Sequence, residues 1–305
     1  MDLSKYIFLI KKTVPRPLRE RLTTARLSAL ARFYELSGGL EYLRRPRVQF
    51  LYLHDVARHD ATAFRRLLEK LGREHTYISY SEAVRRVLTG EIDKPYLSLS
   101  FDDGLKSCWH AAQALHEMDI SGCFFVCPTL LGETDAQKVA AFCADKLHRP
   151  PSEFLSWDEV AAMLRQGHEI GSHAITHSVM ADLPAAQLAD EINDSRRLLQ
   201  QKVGLVRHFA WPYGRFFHFS AQAARLVFAA GFETCASAES GCHIAAPEHR
   251  HNLCVRRNLI LTHWPARRIN YLLARNSRRA TADNNLWPAG WRAAVDRPAV
   301  LSSTI

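Results

Sequence analysis

Several signals are missing from this chain, and each absence narrows its chemistry. No secretory leader is visible: the first apolar run, Tyr6 to Ile10, is five residues long and is followed by Lys11 and Lys12, where a leader needs roughly 7–15 apolar residues. No stretch approaches the roughly 18 apolar residues of a membrane span. The seven cysteines are odd in number and form no Cys-x-x-Cys pair, so neither a disulfide framework nor a zinc ribbon is expected. Cys123 and Cys127 flank Phe124-Phe125-Val126 and read as buried core thiols. A reducing cytoplasm follows as the expected compartment. Gly-x-Ser-x-Gly, a phosphate loop and a dinucleotide fingerprint are all lacking, which removes support for a serine esterase or a nucleotide hydrolase. There is no internal repeat or low-complexity tract. With 47% hydrophobic and 23% charged residues among 305, a disordered, collagenous or coiled-coil chain is excluded.

What is present in excess is positive charge, +9 in all. Residues 1–47 hold eleven Lys/Arg against four acids, a net +7, whereas the other 258 residues hold 29 bases and 27 acids, a net +2. Nucleic acid is therefore not expected as a partner. Between Pro17 and Leu36 the apolar Leu18, Leu22, Ala25, Ala29 and Phe33 recur at helical spacing among arginines. Such a basic amphipathic helix either lies on an anionic membrane or packs on the main domain with its charged face solvated. This divides the chain into a basic helical N-terminal arm (1–47), a main domain (48–276) and a C-terminal tail (277–305) that looks poorly packed.

From residue 48 onward, strand and helix patterns alternate. Strands are expected at 48–54, 96–101, 122–126, 169–173, 207–211, 232–235 and 257–261. Helices are expected at 61–71, 105–117, 157–166, 184–201, 220–230 and 266–274, and Ser156 and Glu159 make a capping box for the third. This alternation implies an α/β fold with a parallel sheet or barrel whose site lies at the C-terminal ends of the strands. Chemistry-bearing residues fall there. The strand YLSLSF ends in Asp102-Asp103-Gly104, EIGSH ends at His173 with His177 four residues on, and RHFAW ends in Pro212-Tyr213-Gly214. Adjacent carboxylates after a buried strand are costly unless a cation or hydrogen bonds hold them. Two histidines and a carboxylate form a metal-ligand set that leaves positions open for water.

These segments resemble the polysaccharide deacetylase family, the carbohydrate esterases of family 4 with a NodB-like domain, over roughly residues 48–265. Ser100-Phe101-Asp102-Asp103-Gly104, His173-Ala174-Ile175-Thr176-His177 and Phe209-Ala210-Trp211-Pro212-Tyr213-Gly214 are similar to its three motifs, in order and spacing. Leu51 to Val56, Leu155 to Glu159 and Gly167 to Ser172 resemble flanking segments. The resemblance implies a distorted (β/α) barrel of about seven βα units. It implies a divalent metal, zinc before cobalt or nickel, on Asp103, His173 and His177, with Asp102 as general base. A backbone N–H near Tyr213 would stabilise the oxyanion.

The chain departs from the family pattern at two places. Ala174 stands where a Ser or Thr is usual, and Ala210 stands where an arginine usually orients the base. Arg257 could supply that charge, or be a surface residue beside Arg256. The acid that protonates the leaving amine is His263 after the last strand, with His54 as rival acid or substrate contact. Trp211 and Tyr213 could stack on a sugar or pack in the core. His168-Glu169 does not make a zincin, because the next histidine is five residues on, across Gly171. Together these imply a cytoplasmic metal-dependent sugar N-deacetylase acting on a lipid- or nucleotide-linked precursor, with peripheral membrane contact through residues 1–47 on the inner face. An O-deacetylase or deformylase using the same site, and a sugar-binding member without turnover, remain as alternatives.

Overall fold

Nine parallel strands organise the chain, and most of them are buried end to end. The computed structural model describes residues 18–280 and 287–297, with side chains from residue 26 onward. The strands are β1 (Arg47–Leu53), β2 (Thr76–Tyr77), β3 (Pro95–Phe101), β4 (Gly122–Val126), β5 (Glu169–Ser172), β6 (His208–Ala210), β7 (Thr234–Ala236), β8 (Leu253–Val255) and β9 (Arg257–Leu259). The sheet runs β8-β7-β6-β5-β4-β3-β1-β9, and β2 pairs β3 beside this path. Strands β1 and β4 are buried at every position, as expected when helices cover a parallel sheet. Strands β8 and β9 end the path on opposite sides, yet only Arg256 separates them in sequence. The chain itself thus nearly closes the barrel.

The helices are α1 (Leu18–Leu36), α2 (Ala61–Gly72), α3 (Tyr80–Thr89), α4 (Cys108–His116), α5 (Ala136–Asp145), α6 (Trp157–Arg165), α7 (Ala185–Val203), α8 (Ala221–Ala229), α9 (Ala266–Arg279) and α10 (Trp291–Val295). Their starts are chemically specified. The Ser79, Asp135 and Ser220 side chains accept N-terminal N–H groups of α3, α5 and α8, and Ser156 with Glu159 closes the expected capping box on α6. Helices α3, α5 and α10 and strands β2 and β8 add to the sequence-based expectation, and the ring of eight strands agrees with a distorted barrel of about seven βα units because, among the described residues, no helix lies between β7 and β8 or between β8 and β9.

Two other expectations change. The described part of the arm is docked on the barrel's helical layer: Ala31 is buried, Tyr34 packs edge-on to Tyr271 of α9 at 5.3 Å, and Glu35 pairs with Arg267 at 3.1 Å. Nor is the tail loose where it is described. Trp287 is buried between Trp211 at 6.3 Å and Trp291 at 6.2 Å, and Val295 is buried as well. Two tryptophans bury enough apolar area to dock a short segment that is otherwise polar.

The N-terminal end of the barrel is closed by polar side chains. Arg47, wholly buried at the start of β1, donates to Gln49, to the carbonyls of Leu43 and Arg45, and shares a hydrogen bond with His75. Beside it, the Ser81 hydroxyl donates to the Glu169 carboxylate and lies 2.9 Å from His208 Nε2, while His208 Nδ1 meets the Thr234 hydroxyl.

Candidate active site

At the other end of the barrel, alternation along β3 points Ser98, Ser100 and Asp102 the same way. Ser100 and Asp102 both meet Arg257, which reaches them from β9. Arg257 Nη1 and Nη2 donate to the two Asp102 carboxylate oxygens at 2.7 and 2.8 Å. Its Nε donates to the Ser237 carbonyl at 2.9 Å, and Nη1 also reaches the Ser100 hydroxyl at 3.2 Å. The guanidinium lies 4.7 Å from the Tyr52 ring centroid and 5.1 Å from that of Phe125. Arg257 is completely buried. Burial opposes its charge, but the Asp102 charge and hydrogen bonds outweigh this and hold it more firmly protonated than a free arginine. Fork-on-carboxylate geometry fixes orientation as well as charge.

Asp103 leaves the strand. Its φ is +79° and that of Gly104 is +72°, consecutive positive values as in a type I′ turn. A Cβ on Gly104 would meet the Val126 side chain at 3.1 Å. The turn brings Asp103 Oδ1 within 3.5 Å of His173 Nε2 and 3.4 Å of His177 Nε2. One donor atom from each of Asp103, His173 and His177 falls in a group within 4.8 Å of one another, and all three residues are buried.

The donor chemistry fits a divalent cation. His173 Nδ1 donates to the Ala210 carbonyl at 2.7 Å, which leaves the Nε2 lone pair facing Asp103. Burial raises the cost of a charge on Asp103, but hydrogen bonds from His173 and His177 and the field of His54 hold its carboxyl well below the ordinary range. Burial also works against protonating the histidines. At His173 the Asp103 hydrogen bond and both aspartate fields overcome it and raise the pKa. At His177 burial prevails, aided by the fields of His173 and His54, and lowers it.

Backbone strain gathers here. Ala174, His177 and Tyr213 have φ of +62°, +52° and +62°, each a conformation that costs of order 1–3 kcal/mol unless surroundings enforce it. Glu191 on α7 enforces the histidine loop: its carboxylate accepts the N–H groups of Ile175 and Thr176 at 2.8 and 2.9 Å and the Thr176 hydroxyl. Ser195 on the same helix binds the Ser172 hydroxyl at 2.7 Å. Neither residue belongs to the quoted motifs. A signal for them exists, since Leu188, Glu191, Ile192, Ser195 and Leu199 share the buried stripe of α7, where an unpaired acid would be costly.

Residues 89–234 match the family model described as Polysaccharide deacetylase. Over this segment, just under half of the chain, the protein is similar to the polysaccharide deacetylase family. No curated protein matches it significantly. Among solved structures it is similar to IcaB from Ammonifex degensii (19% identity, TM-score 0.60, covering 75% of this chain and 97% of that one). It is similar also to the Streptococcus pyogenes deacetylase PplD in complex with acetate (16%, 0.60, 75% and 99%), and to a de-N-acetylase from Aggregatibacter actinomycetemcomitans (21%, 0.59, 74% and 99%). At these identities the structures attest the shared fold. The family match contains Asp102, Asp103, His173 and His177 and ends before Arg257.

The remaining expected site residues fall in different places. His54, half-buried after β1, stands with its ring 5.5 Å from that of Tyr52, close enough for its field to act on Asp103. Tyr213 sets its ring 4.7 Å from that of His177 and donates its hydroxyl to the Lys146 carbonyl at 2.9 Å. Burial and then the Asp103 field push that hydroxyl up to about 12. Gly214 permits the bend that follows, for a Cβ there would stand 2.4 Å from Ala238 Cβ. Trp211 is a correction to the expectation of a sugar platform: it is fully buried, stacked on Phe219 at 4.4 Å, with Trp287 also against it. His263 is exposed in the turn between β9 and α9, whereas the Asp102, Asp103, His173 and His177 side chains are all buried.

Proposed function

We propose that the chain is a metal-dependent hydrolase that removes an N-acetyl group from a sugar in a surface-polysaccharide or glycolipid precursor. One observation carries this reading: two neighbouring buried aspartates are given different partners, histidines for Asp103 and an arginine for Asp102. A divalent ion, zinc first and cobalt or nickel next, held by Asp103, His173 and His177 would supply a Lewis acid and a water of lowered pKa. Asp102 is the general base. Both its oxygens are engaged by Arg257, but each keeps a lone pair that can take a proton from the attacking water. Arg257 holds both oxygens of the carboxylate in a fixed orientation, the role the Ala210 position does not fill. The backbone N–H at Tyr213 would stabilise the developing oxyanion, a contribution worth about 10²–10³-fold in rate in comparable sites. The leaving amine takes its proton from His263 in the turn after β9, with His54, half-buried after β1, as the rival donor or a substrate contact.

The test is to measure metal content and acetate release together. Asp102→Asn keeps the metal and loses acetate release, while His173→Ala loses the metal. Full acetate release by Asp102→Asn, or a wild type that binds no metal, overturns the mechanism.

In the same reading the enzyme works in the cytoplasm on a lipid- or nucleotide-linked sugar, with α1 against the inner face of the membrane. Support comes from seven free, buried cysteines and from Leu30, Phe33 and Leu36, exposed on α1 beside Arg26 and Arg32. No helix among the described residues is long and apolar enough to cross a membrane, so contact would be peripheral. Co-sedimentation with phosphatidylglycerol vesicles should be lost in Phe33→Asp/Leu36→Asp. Absence of binding in the wild type makes α1 a packed helix only.

A further inference from the structure

An arginine taken out of water without acceptors is costly, because each unpaired N–H loses its hydration and gains nothing. Arg47 and Arg257, the two most deeply buried, engage Nε, Nη1 and Nη2 alike. Arg149 does not. Among the described arginines it alone has two buried nitrogens, Nε and Nη1, that meet no hydrogen-bond partner. Its side chain is only 15% exposed, and Nη2 pairs with Asp55 at 3.1 Å.

Arg149 stands beside the candidate active site. It belongs to the segment between α5 and α6, which reaches from the His177 loop to the end of β1. On the first side, the Lys146 carbonyl accepts the Tyr213 hydroxyl at 2.9 Å, and Lys146 Nζ donates to the hydroxyl of Ser178, next to His177, at 3.1 Å. The Phe142 ring is 6.4 Å from that of His177, and His148 is 6.4 Å from Tyr213. On the second side, Asp55 directly follows His54, where β1 has ended. The Cys108 thiol, raised first by burial, then feels the charges of Asp55, Asp103, Arg149 and Asp102, so the guanidinium and the two neighbouring aspartates surround one buried atom. Lys146 and Arg149, three residues apart, have a single carboxylate between them as partner.

We propose that Arg149, assisted by Lys146, binds a phosphate group carried by the sugar, so that the substrate is a sugar phosphate or a sugar linked through a diphosphate. Resting on the sugar-deacetylase reading, this adds the group by which the sugar is recognised. Asp55 holds the guanidinium by one nitrogen and leaves the others for the ligand. Nε and Nη1 lie on different edges of the guanidinium plane, so oxygens spread tetrahedrally around phosphorus meet them better than a planar carboxylate does. Hydrogen bonds of this kind, with both partners charged, are the strong ones, and the donors are already desolvated before the ligand arrives.

The test measures acetate release by the metal-loaded enzyme from N-acetylglucosamine, its 1-phosphate, UDP-N-acetylglucosamine and a farnesyl diphosphate-linked N-acetylglucosamine. Calorimetry measures the binding of glucose 1-phosphate, which has no acetamide to lose. Wild type should show a higher kcat/KM for at least one phosphate-bearing substrate than for N-acetylglucosamine, and the best of the three identifies the source as free sugar phosphate, nucleotide or lipid. Arg149→Gln should lower that preference about 10–100-fold, mainly through KM, as expected for a lost hydrogen bond between charged groups. It should weaken glucose 1-phosphate binding to a similar degree, and Arg149→Lys should restore part of both. Lys146→Gln should lower the preference in the same sense, and decides the question if Arg149→Gln does not fold. A wild type that prefers N-acetylglucosamine overturns the inference. So does an equal loss on all four substrates in Arg149→Gln, which would make Arg149 a clamp for its segment only, or unchanged glucose 1-phosphate binding. Failure of the parent reading looks different: wild type then releases acetate from none of the four, and the glucose 1-phosphate measurement alone decides whether Arg149 binds phosphate.

Discussion

Both ends of the barrel bury an arginine completely, and they treat it in opposite ways. At the N-terminal end Arg47 meets carbonyls, an amide and a neutral imidazole, with no carboxylate among its hydrogen-bond partners. Burial pulls its pKa down to about 10, only slightly offset by Cys242. At the C-terminal end Arg257 meets Asp102 in a two-pronged pair that raises its pKa. The backbone differs likewise. Positive φ near the strand starts falls on Asp119 and Asn252, residue types that tolerate it. At the strand ends it falls on Asp103 and His177, of the same tolerant kind, and also on Ala174 and Tyr213, which gain nothing local from it. Burial of charge is thus common to both ends. What separates a plug from a candidate site is opposed charge held in a strained frame beside clustered, buried ligand atoms of Asp103, His173 and His177.

That contrast can be broken most severely at the triad. His173→Ala should remove the metal altogether, beyond the roughly 10–100-fold loss of affinity that altered supporting residues cause, as checked by metal analysis after dialysis. Asp102→Asn should keep the metal and lower kcat about 10²–10⁴-fold, the usual span for a general base. Next come the two arginines themselves, compared by chemical denaturation. Arg257→Met strands a buried carboxylate and should cost about 3–5 kcal/mol of stability. Arg47→Met leaves only neutral acceptors and should cost about 1–3 kcal/mol, with kcat unchanged. Equal losses would erase the distinction. Glu191→Gln should weaken metal binding about 10–100-fold by loosening the loop between the histidines.

The smallest effect belongs to the plug. His75 is driven down to about 4, first by burial and then by Arg47. Its folded pKa lies below the unfolded 6.5, so the unfolded chain binds more protons between these values and stability falls as pH drops through that window. His75→Gln should recover about 1–2 kcal/mol at pH 5 relative to its own effect at pH 8. Equal unfolding midpoints for wild type and variant across this range would remove His75 as the cause.

Much of this architecture was legible in the sequence, because buried parallel strands make unbroken apolar runs and their ends carried the charged residues. Gly122–Val126 reads directly as β4, and YLSLSF delivers Asp102 to the barrel interior by alternation alone. Other parts were not. Strands β2 and β8 are two and three residues long, too short to have a period. Helix α3, by contrast, carries a legible pattern, with Ser79 as N-cap, Tyr80, Ala83, Val84 and Val87 as the buried stripe and Gly90 as the stop. That Arg257 meets Asp102 depends on closure of the barrel across 155 residues, which local pattern cannot report. Trp211 is covered by Trp287 from a segment that reads as a polar tail, 76 residues further along the chain.

The closing joint at Arg256 has one more consequence. Strands β8 and β9 are the two free margins of the sheet, brought together by a single intervening residue, and Arg257 is the first residue past that joint. Its grip on Asp102 of β3 and on the Ser237 carbonyl after β7 ties both margins to strands on either side. The carboxylate proposed as the general base is therefore also the clasp of the ring. Amide exchange in β8 and β9 and catalytic competence should fail in one step on heating, since the barrel cannot unzip along its seam without releasing the same ion pair.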